Sequence, residues 1–190
     1  MAIVLASQSP RRQELLQRIG VEDFKTLSLD IDESYPEGLS PEDTVRYIAK
    51  KKCDAAAALC APDDLIITAD TMVFLDNDRL GKPRDEDDAF RMLRELAGRG
   101  HTVCTGVSVR RGAQEERFAV STRVFFRPMT DDEIRAYIKT GEPMDKAGAY
   151  GVQSRGALFV ERIDGDFFNV MGLPVEQLGL VLARFGVKLL

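Results

Sequence analysis

An α/β fold built on a mixed sheet is predicted by two observations. Short apolar runs of strand character are interleaved with amphipathic helical segments. At least two strand pairs are joined by turns short enough for hairpins, which breaks the regular alternation of a doubly wound domain.

The elements follow in order. Ile3, Val4 and Leu5 read as a buried strand, and Ser9-Pro10 as the N-cap and first position of a helix. Leu15, Leu16 and Ile19 give that helix one apolar face, and Gly20 sits where a left-handed C-terminal cap belongs. Residues 24–29 read as a strand leading into Asp30-Ile31-Asp32-Glu33. Ser40-Pro41-Glu42-Asp43 starts a second helix, with Val45, Ile48, Ala49, Ala56 and Leu59 as its buried stripe. Residues 65–68 form an apolar strand that ends at Ala69-Asp70-Thr71, and residues 72–75 continue as strand. Asn77-Asp78 supplies a turn, and Gly81-Lys82-Pro83 closes the hairpin.

Asp85 caps a third helix with Phe90, Leu93 and Leu96 inward and Gly98 or Gly100 at its end. Val103, Thr105, Val107 and Val109 alternate as a strand, Gly112 marks a turn, and residues 117–126 return. Thr130-Asp131-Asp132-Glu133 is a capping box ahead of Ile134, Tyr137 and Ile138. Residues 158–163 form a strand closed by Asp164-Gly165, and Pro174 opens a last amphipathic helix.

With 190 residues the chain makes one domain, or two small lobes around a shared cleft. The net charge of -5 argues against nonspecific binding to nucleic acid or an anionic membrane surface. No signal-peptide pattern is visible, and no apolar run approaches the roughly 18 residues that a membrane span needs. Cys53, Cys60 and Cys104 lack zinc-type spacing and a disulfide pattern, which fits a reducing cytoplasm. His101 is the single histidine, so multi-histidine metal sites are excluded. Chemistry here rests on carboxylates, lysines and arginines.

The segment Ser7-Gln8-Ser9-Pro10-Arg11-Arg12 places two hydroxyls and two guanidiniums where a strand turns into a helix. A helix N-terminus attracts anions through its unpaired N–H groups and its dipole. Arginines add charge-assisted contacts of about 1.5–3 kcal/mol each. Two arginines against the dipole are unfavourable unless an anion offsets them, so this is a candidate phosphate site. Asp70, at the end of an apolar strand, stands where ligands gather in α/β proteins. With Glu33 from another segment it could hold a divalent metal or activate a water. Taken singly, Asp70 also reads as a turn residue and Glu33 as surface charge. Of Lys50-Lys51-Lys52 one can share a bearing with a cleft, and Lys82 sits in the rigid Gly81-Lys82-Pro83. The segment from Glu142 to Gln153 holds glycines, alanines and a proline, so its backbone can approach a ligand closely. Gln153 at its end offers one acceptor and two donors, which suits a nucleobase edge.

Five motifs in order, Ser9-Pro10-Arg11-Arg12, Asp32-Glu33, Ala69-Asp70-Thr71, Gly81-Lys82-Pro83 and Asp145-Lys146-Ala147-Gly148-Ala149-Tyr150-Gly151, resemble the Maf family of nucleotide pyrophosphatases, also called septum-formation inhibitors. The likeness runs from Leu5-Ala6-Ser7 to Gly172-Leu173-Pro174, so residues 1–190 read as a single Maf-like domain. The resemblance implies a bent mixed sheet flanked by helices, with two lobes around a central cleft, as in inosine triphosphate pyrophosphatases. It implies cleavage of the α–β phosphoanhydride of a nucleoside triphosphate, with Mg²⁺ or Mn²⁺ as cofactor. By the same resemblance Asp70 is the catalytic base, Glu33 the metal-associated acid, and Ser7, Arg12, Lys52 and Lys82 phosphate contacts.

Arg11, Thr71 and Gln153 stand at the positions that divide the family by base preference. By the same resemblance the chain looks like the branch that prefers dTTP and UTP over 7-methylguanosine triphosphate. Gln8 stands where small residues are commoner, and Lys50-Lys51-Lys52-Cys53 replaces the usual end of that helical segment, so choosing Lys52 is a matter of register. His101 reads as a structural histidine. A homodimer is the expected assembly from the resemblance and from the frequency of closed symmetric pairs. The family's naming links it to cell-division arrest, although no residue here identifies a partner surface. Two rival readings stay open on the residues alone: a non-catalytic nucleotide sensor, which could lose Asp70 and still bind, and a phosphatase of small phosphomonoesters, which has no evident need for Gln153.

Overall fold

Pro10 and Pro41 each occupy the first turn of a helix, where a missing N–H removes no intrahelical bond, and this fixes where two of the longer elements begin. A computed structural model describes residues 1–76 and 78–190. The strands are β1 (Ile3–Leu5), β2 (Phe24–Thr26), β3 (Leu65–Leu75), β4 (Asp78–Leu80), β5 (Gly100–Arg111), β6 (Gln114–Phe126) and β7 (Val160–Asp164). The helices are α1 (Pro10–Arg18), α2 (Pro41–Ala57), α3 (Glu86–Leu96), α4 (Asp131–Ile138), α5 (Phe167–Met171) and α6 (Val175–Arg184). Three 3-10 turns, Glu142–Asp145, Ala147–Ala149 and Arg155–Phe159, separate α4 from β7. Strand pairing follows the order β2-β1-β3-β5-β6-β7, with β4 pairing β3 off that path. β1 is parallel to both β2 and β3, whereas β3–β4 and β6–β7 are antiparallel. The mixed α/β class read from the sequence is the class observed.

The chain divides into two compact units. The first comprises Met1–Asp70, Thr105–Val120 and Gly172–Leu190. β1 and the first half of β3 are buried, with Leu5, Leu65 and Ile67 inaccessible to solvent, whereas the parallel strand β2 is half-buried to exposed. The Thr68 hydroxyl donates to the Ala49 carbonyl at 2.7 Å and ties α2 to β3. A satellite cluster of Ala6, Cys53, Ala56 and Ile66 packs against Leu27, Leu29, Ala57 and Cys60. The second unit comprises Thr71–Cys104 and Ser121–Met171. In it α3 packs against α4 and the turns that follow α4, and Thr130 and Glu133 form the expected capping box. The chain passes from the first unit to the second between Asp70 and Thr71.

Five local expectations are corrected. Asp70 does not end a strand: Leu65–Leu75 is one continuous strand with Asp70 in its interior. Leu59 is 68% exposed, because α2 stops at Ala57 and the helical stripe ends with it. Phe90 is only half buried, its ring lying 4.4 Å beneath the Arg135 guanidinium. Leu158 lies in a 3-10 turn and is 71% exposed, so the last strand starts at Val160. Residues 103–109 of β5 are buried on both faces rather than alternately. The reason is Gly106, where an added Cβ would lie 2.3 Å from the Val45 backbone carbon, so α2 rests directly on that strand. The turn expected at Asn77-Asp78 falls in part on Asn77, which lies outside the described residues. Among the described residues all three cysteines are free thiols, and no helix is long and apolar enough to cross a membrane.

Candidate active site

The turn from β1 into α1 is organised by Ser7 rather than by the N-cap residue. Ser9 has extended backbone angles, but its side chain makes no capping bond. The Ser7 hydroxyl instead accepts from the Ser9 N–H and from Arg12 Nη1, both at 3.2 Å. Arg12 Nε donates to the Gly172 carbonyl at 2.8 Å, so two anchors hold the guanidinium in place. Burial lowers the Arg12 pKa, Asp70 raises it, Arg11 lowers it and Glu33 raises it. Two arginines and two carboxylates thus share one electrostatic environment.

The lysine triplet of α2 separates cleanly. Lys50 pairs with Asp54 one turn on. Lys51 pairs with Asp32 at 3.1 Å and donates to the Ser34 carbonyl at 3.2 Å. Lys52 turns the other way and donates to Asp70 Oδ1 at 2.8 Å and to Glu33 Oε1 at 2.9 Å. The Lys52 and Asp70 side chains are only 14% and 10% exposed, whereas Glu33 is 57% exposed. Lys52 is therefore the member of the triplet that reaches the acids. Asp32 serves the loop itself: hydrogen bonds from Ser34 and Lys51 hold its carboxyl down at about 2. That Asx-type turn fixes the backbone that presents Glu33.

Ser7, Arg12, Glu33, Lys52 and Asp70 are brought together within the first unit. Thr71, Lys82 and Gln153 belong to the second unit. There Thr71 is half buried, and Lys82 and Gln153 are exposed. The Gly81-Lys82-Pro83 turn is held by Gly148, whose N–H donates to the Gly81 carbonyl at 3.1 Å. Gly148 has φ of 69°, and an added Cβ would lie 2.8 Å from Val73. A side chain there would be strained and crowded at once, which explains a glycine at this point of the Asp145–Gly151 motif. The Gly172 carbonyl was not legible beforehand, because a backbone acceptor 160 residues from its donor leaves no side-chain signal.

His101 is 2% exposed, and its Nε2 lies 2.8 Å from the Tyr150 hydroxyl. Burial holds its pKa down at about 3, so the ring is neutral, and the satisfied structural histidine expected from the sequence is satisfied at Nε2 alone, since the buried Nδ1 has no hydrogen-bond partner among the described residues.

Two carboxylates already share one cation, the Lys52 ammonium. Two acidic oxygens completed by substrate phosphate and water are the donor set that Mg²⁺ or Mn²⁺ takes in phosphoryl-transfer sites, so Glu33 and Asp70 fit such an ion. Among the described residues no cluster of three or more His, Cys, Asp or Glu is poised for a metal.

A family model described as Maf-like protein matches residues 2–185. A dTTP/UTP pyrophosphatase of Bacillus velezensis is 46% identical over 186 residues, covering 98% of this chain and 97% of that relative. A dTTP/UTP pyrophosphatase of Dictyoglomus turgidum is 47% identical over 191 residues, covering 99% and 98%. Among solved structures, a HAM1 protein from Coxiella burnetii superposes with a TM-score of 0.58 at 14% identity, covering 97% of this chain and 99% of that one. The Staphylococcus aureus Ham1 protein gives 0.55 at 14% identity, covering 97% and 100%. At that identity the two structures speak for the fold. The match to the family model along nearly the whole length, joined to relatives of this similarity, means that the chain belongs to the Maf-like protein family.

Proposed function

We propose that this protein hydrolyses dTTP and UTP to the nucleoside monophosphate and pyrophosphate. The observation that carries the reading is the Lys52 ammonium held between Asp70 and Glu33, with Arg12 anchored in the same field. Relatives at 46–47% identity along nearly their full length bear the name dTTP/UTP pyrophosphatase, which supports the reaction and the base preference.

Phosphoryl transfer asks a protein mainly for positioning and charge stabilisation. Asp70 is the general base: its carboxylate orients a water and takes its proton as the α–β phosphoanhydride opens. Arg12, held by Ser7 and Gly172, is pre-set for the phosphate oxygens, so little freedom is lost when nucleotide arrives. Arg11, Lys52 and Lys82 add positive charge against the triphosphate and the departing pyrophosphate. Glu33 and Asp70 would hold Mg²⁺ or Mn²⁺, which neutralises phosphate charge and makes a bound water more acidic. Thr71 and Gln153 are assigned to the base, where a hydrogen-bonding edge rejects mismatched partners by leaving polar groups unpaired. Three free thiols and a net charge of -5 support a cytoplasmic enzyme whose partner is the nucleotide rather than nucleic acid. A homodimer is the proposed assembly.

The test is pyrophosphate release from dTTP, UTP, CTP, 7-methylguanosine triphosphate and the purine triphosphates, with Mg²⁺ or Mn²⁺ and with chelator. Metal-dependent release led by dTTP and UTP is expected. Release led by 7-methylguanosine triphosphate would overturn the base preference. Orthophosphate as product, or binding without turnover by folded protein, would overturn the reaction.

A further inference from the structure

The loop that carries Gln153 is closed on itself by one carboxylate. Glu142 opens the first 3-10 turn after α4, directly behind Gly141 in left-handed conformation. Its Oε1 accepts from the Tyr137 hydroxyl at 2.7 Å, from the Ser154 hydroxyl at 2.6 Å and from the Gly156 N–H at 3.2 Å. Its Oε2 accepts from the Arg155 N–H at 3.3 Å. The Tyr137 hydroxyl in turn accepts from the Gly151 N–H at 3.1 Å. Residues 151, 154, 155 and 156 are therefore all tied to the Glu142–Tyr137 pair, and Val152 is buried between them. Gln153 stands exposed inside this closed stretch, with its backbone fixed on either side. We propose that Glu142 is a positioning residue that sets nucleobase selectivity by holding the loop backbone around Gln153. This inference rests on the assignment of Gln153 to the base.

Four donors converge on this side chain, and an ionised carboxylate, being acceptor-only, receives them all. Burial opposes the charge, yet the bonds from Ser154, Tyr137, Gly156 and Arg155 outweigh it and lower the Glu142 pKa. A carboxamide keeps one acceptor oxygen but sets an NH₂ against another donor. The loop has no slack to absorb the loss: a Cβ on Gly156 would lie 2.5 Å from the Gly151 carbonyl oxygen, and one on Gly151 would lie 2.8 Å from the Lys146 side chain. Lys146 is committed elsewhere, its ammonium donating to the Glu142 backbone carbonyl at 2.6 Å and to Asp145 at 2.7 Å.

The experiment measures kcat and KM for dTTP and dCTP, which differ at the base edge, in Glu142→Ala, Glu142→Gln, Tyr137→Phe and Gln153→Ala. Glu142→Ala and Tyr137→Phe are expected to lower the dTTP-to-dCTP ratio of kcat/KM about tenfold, mainly through KM for dTTP. Glu142→Gln restores part of the ratio. A merely structural role would reduce active enzyme for both nucleotides alike and leave the ratio intact. If Gln153→Ala lowers the ratio while folded Glu142→Ala and Tyr137→Phe do not, the Glu142 inference is overturned and the base assignment survives. If Gln153→Ala leaves the ratio unchanged, both fall. Should Glu142→Ala fail to fold, Ser154→Ala removes a single donor and decides by the same ratio.

Discussion

The Lys52 ammonium lies 2.8 Å from Asp70 Oδ1, with the aspartate in the interior of an eleven-residue strand and the lysine on the helix that packs over it. Asp70→Asn keeps the shape and leaves Lys52 its bond to Glu33, so the fold is expected to survive. Turnover is expected to fall by about 10²–10⁴-fold, the range for loss of a general base. Pyrophosphate release, read beside the thermal midpoint, checks both halves. Activity within a few-fold of the parent in a folded variant removes Asp70 as the base.

In the proposed site Lys52, paired with both acids, would compete with a divalent metal for them. Lys52→Met leaves Asp70 and Glu33 facing each other without their shared cation, an arrangement that favours a divalent ion. Mn²⁺ is expected to bind the nucleotide-free variant about tenfold tighter than the parent, a shift of ~1.4 kcal/mol. Turnover is expected to fall, because the proposed phosphate contact is lost. Titration followed by the spin signal of free Mn²⁺ measures the first effect. Unchanged or weaker binding would mean that these carboxylates do not hold the ion.

How far the sequence disclosed this arrangement depended on range. The start of α1, the capping box of α4 and the left-handed Gly20 were legible because their signals lie within a few residues. Asp70 was misplaced because a polar residue inside an apolar run looks like its end, and the partner that satisfies it sits on another element, 18 residues back. The choice among Lys50, Lys51 and Lys52 could not be made from helical spacing alone, since it depends on what each side chain meets in three dimensions. In β5 the alternating Val103, Thr105, Val107 and Val109 hid the burial of Cys104, Gly106 and Ser108, and of these Gly106 is the one that lets the α2 backbone approach.

Gly106→Ala tests that close approach. The new methyl group would meet the Val45 carbon at 2.3 Å, its oxygen at 2.4 Å and the Arg46 nitrogen at 2.6 Å. These are backbone atoms and cannot rotate aside, so α2 must lift from β5. A loss of about 3 kcal/mol or more is expected, at the upper end of overpacking penalties. A urea titration reads it as a lower midpoint. An unchanged midpoint would show that the helix can move off the strand freely.

His101 gives a pH dependence whose sign can be worked out. Its pKa is about 3 in the folded protein, lowered by burial, against about 6.5 in the unfolded chain. Above pH 6.5 the ring is neutral in both states and contributes no slope. Between pH 6.5 and 3 the unfolded chain binds the extra proton, so stability falls on acidification by up to ~1.4 kcal/mol per pH unit. Asp32 and Glu133, both held at about 2 by hydrogen bonds, add their own losses only in the ordinary carboxylate range and below. Between pH 6.5 and 5 the slope therefore belongs mainly to His101. His101→Gln, which keeps a polar partner for the Tyr150 hydroxyl, is expected to be less stable at pH 7 and to lose most of that slope. Urea midpoints at pH 7, 6 and 5 for both proteins decide the matter, and parallel slopes would assign the acid sensitivity to other groups.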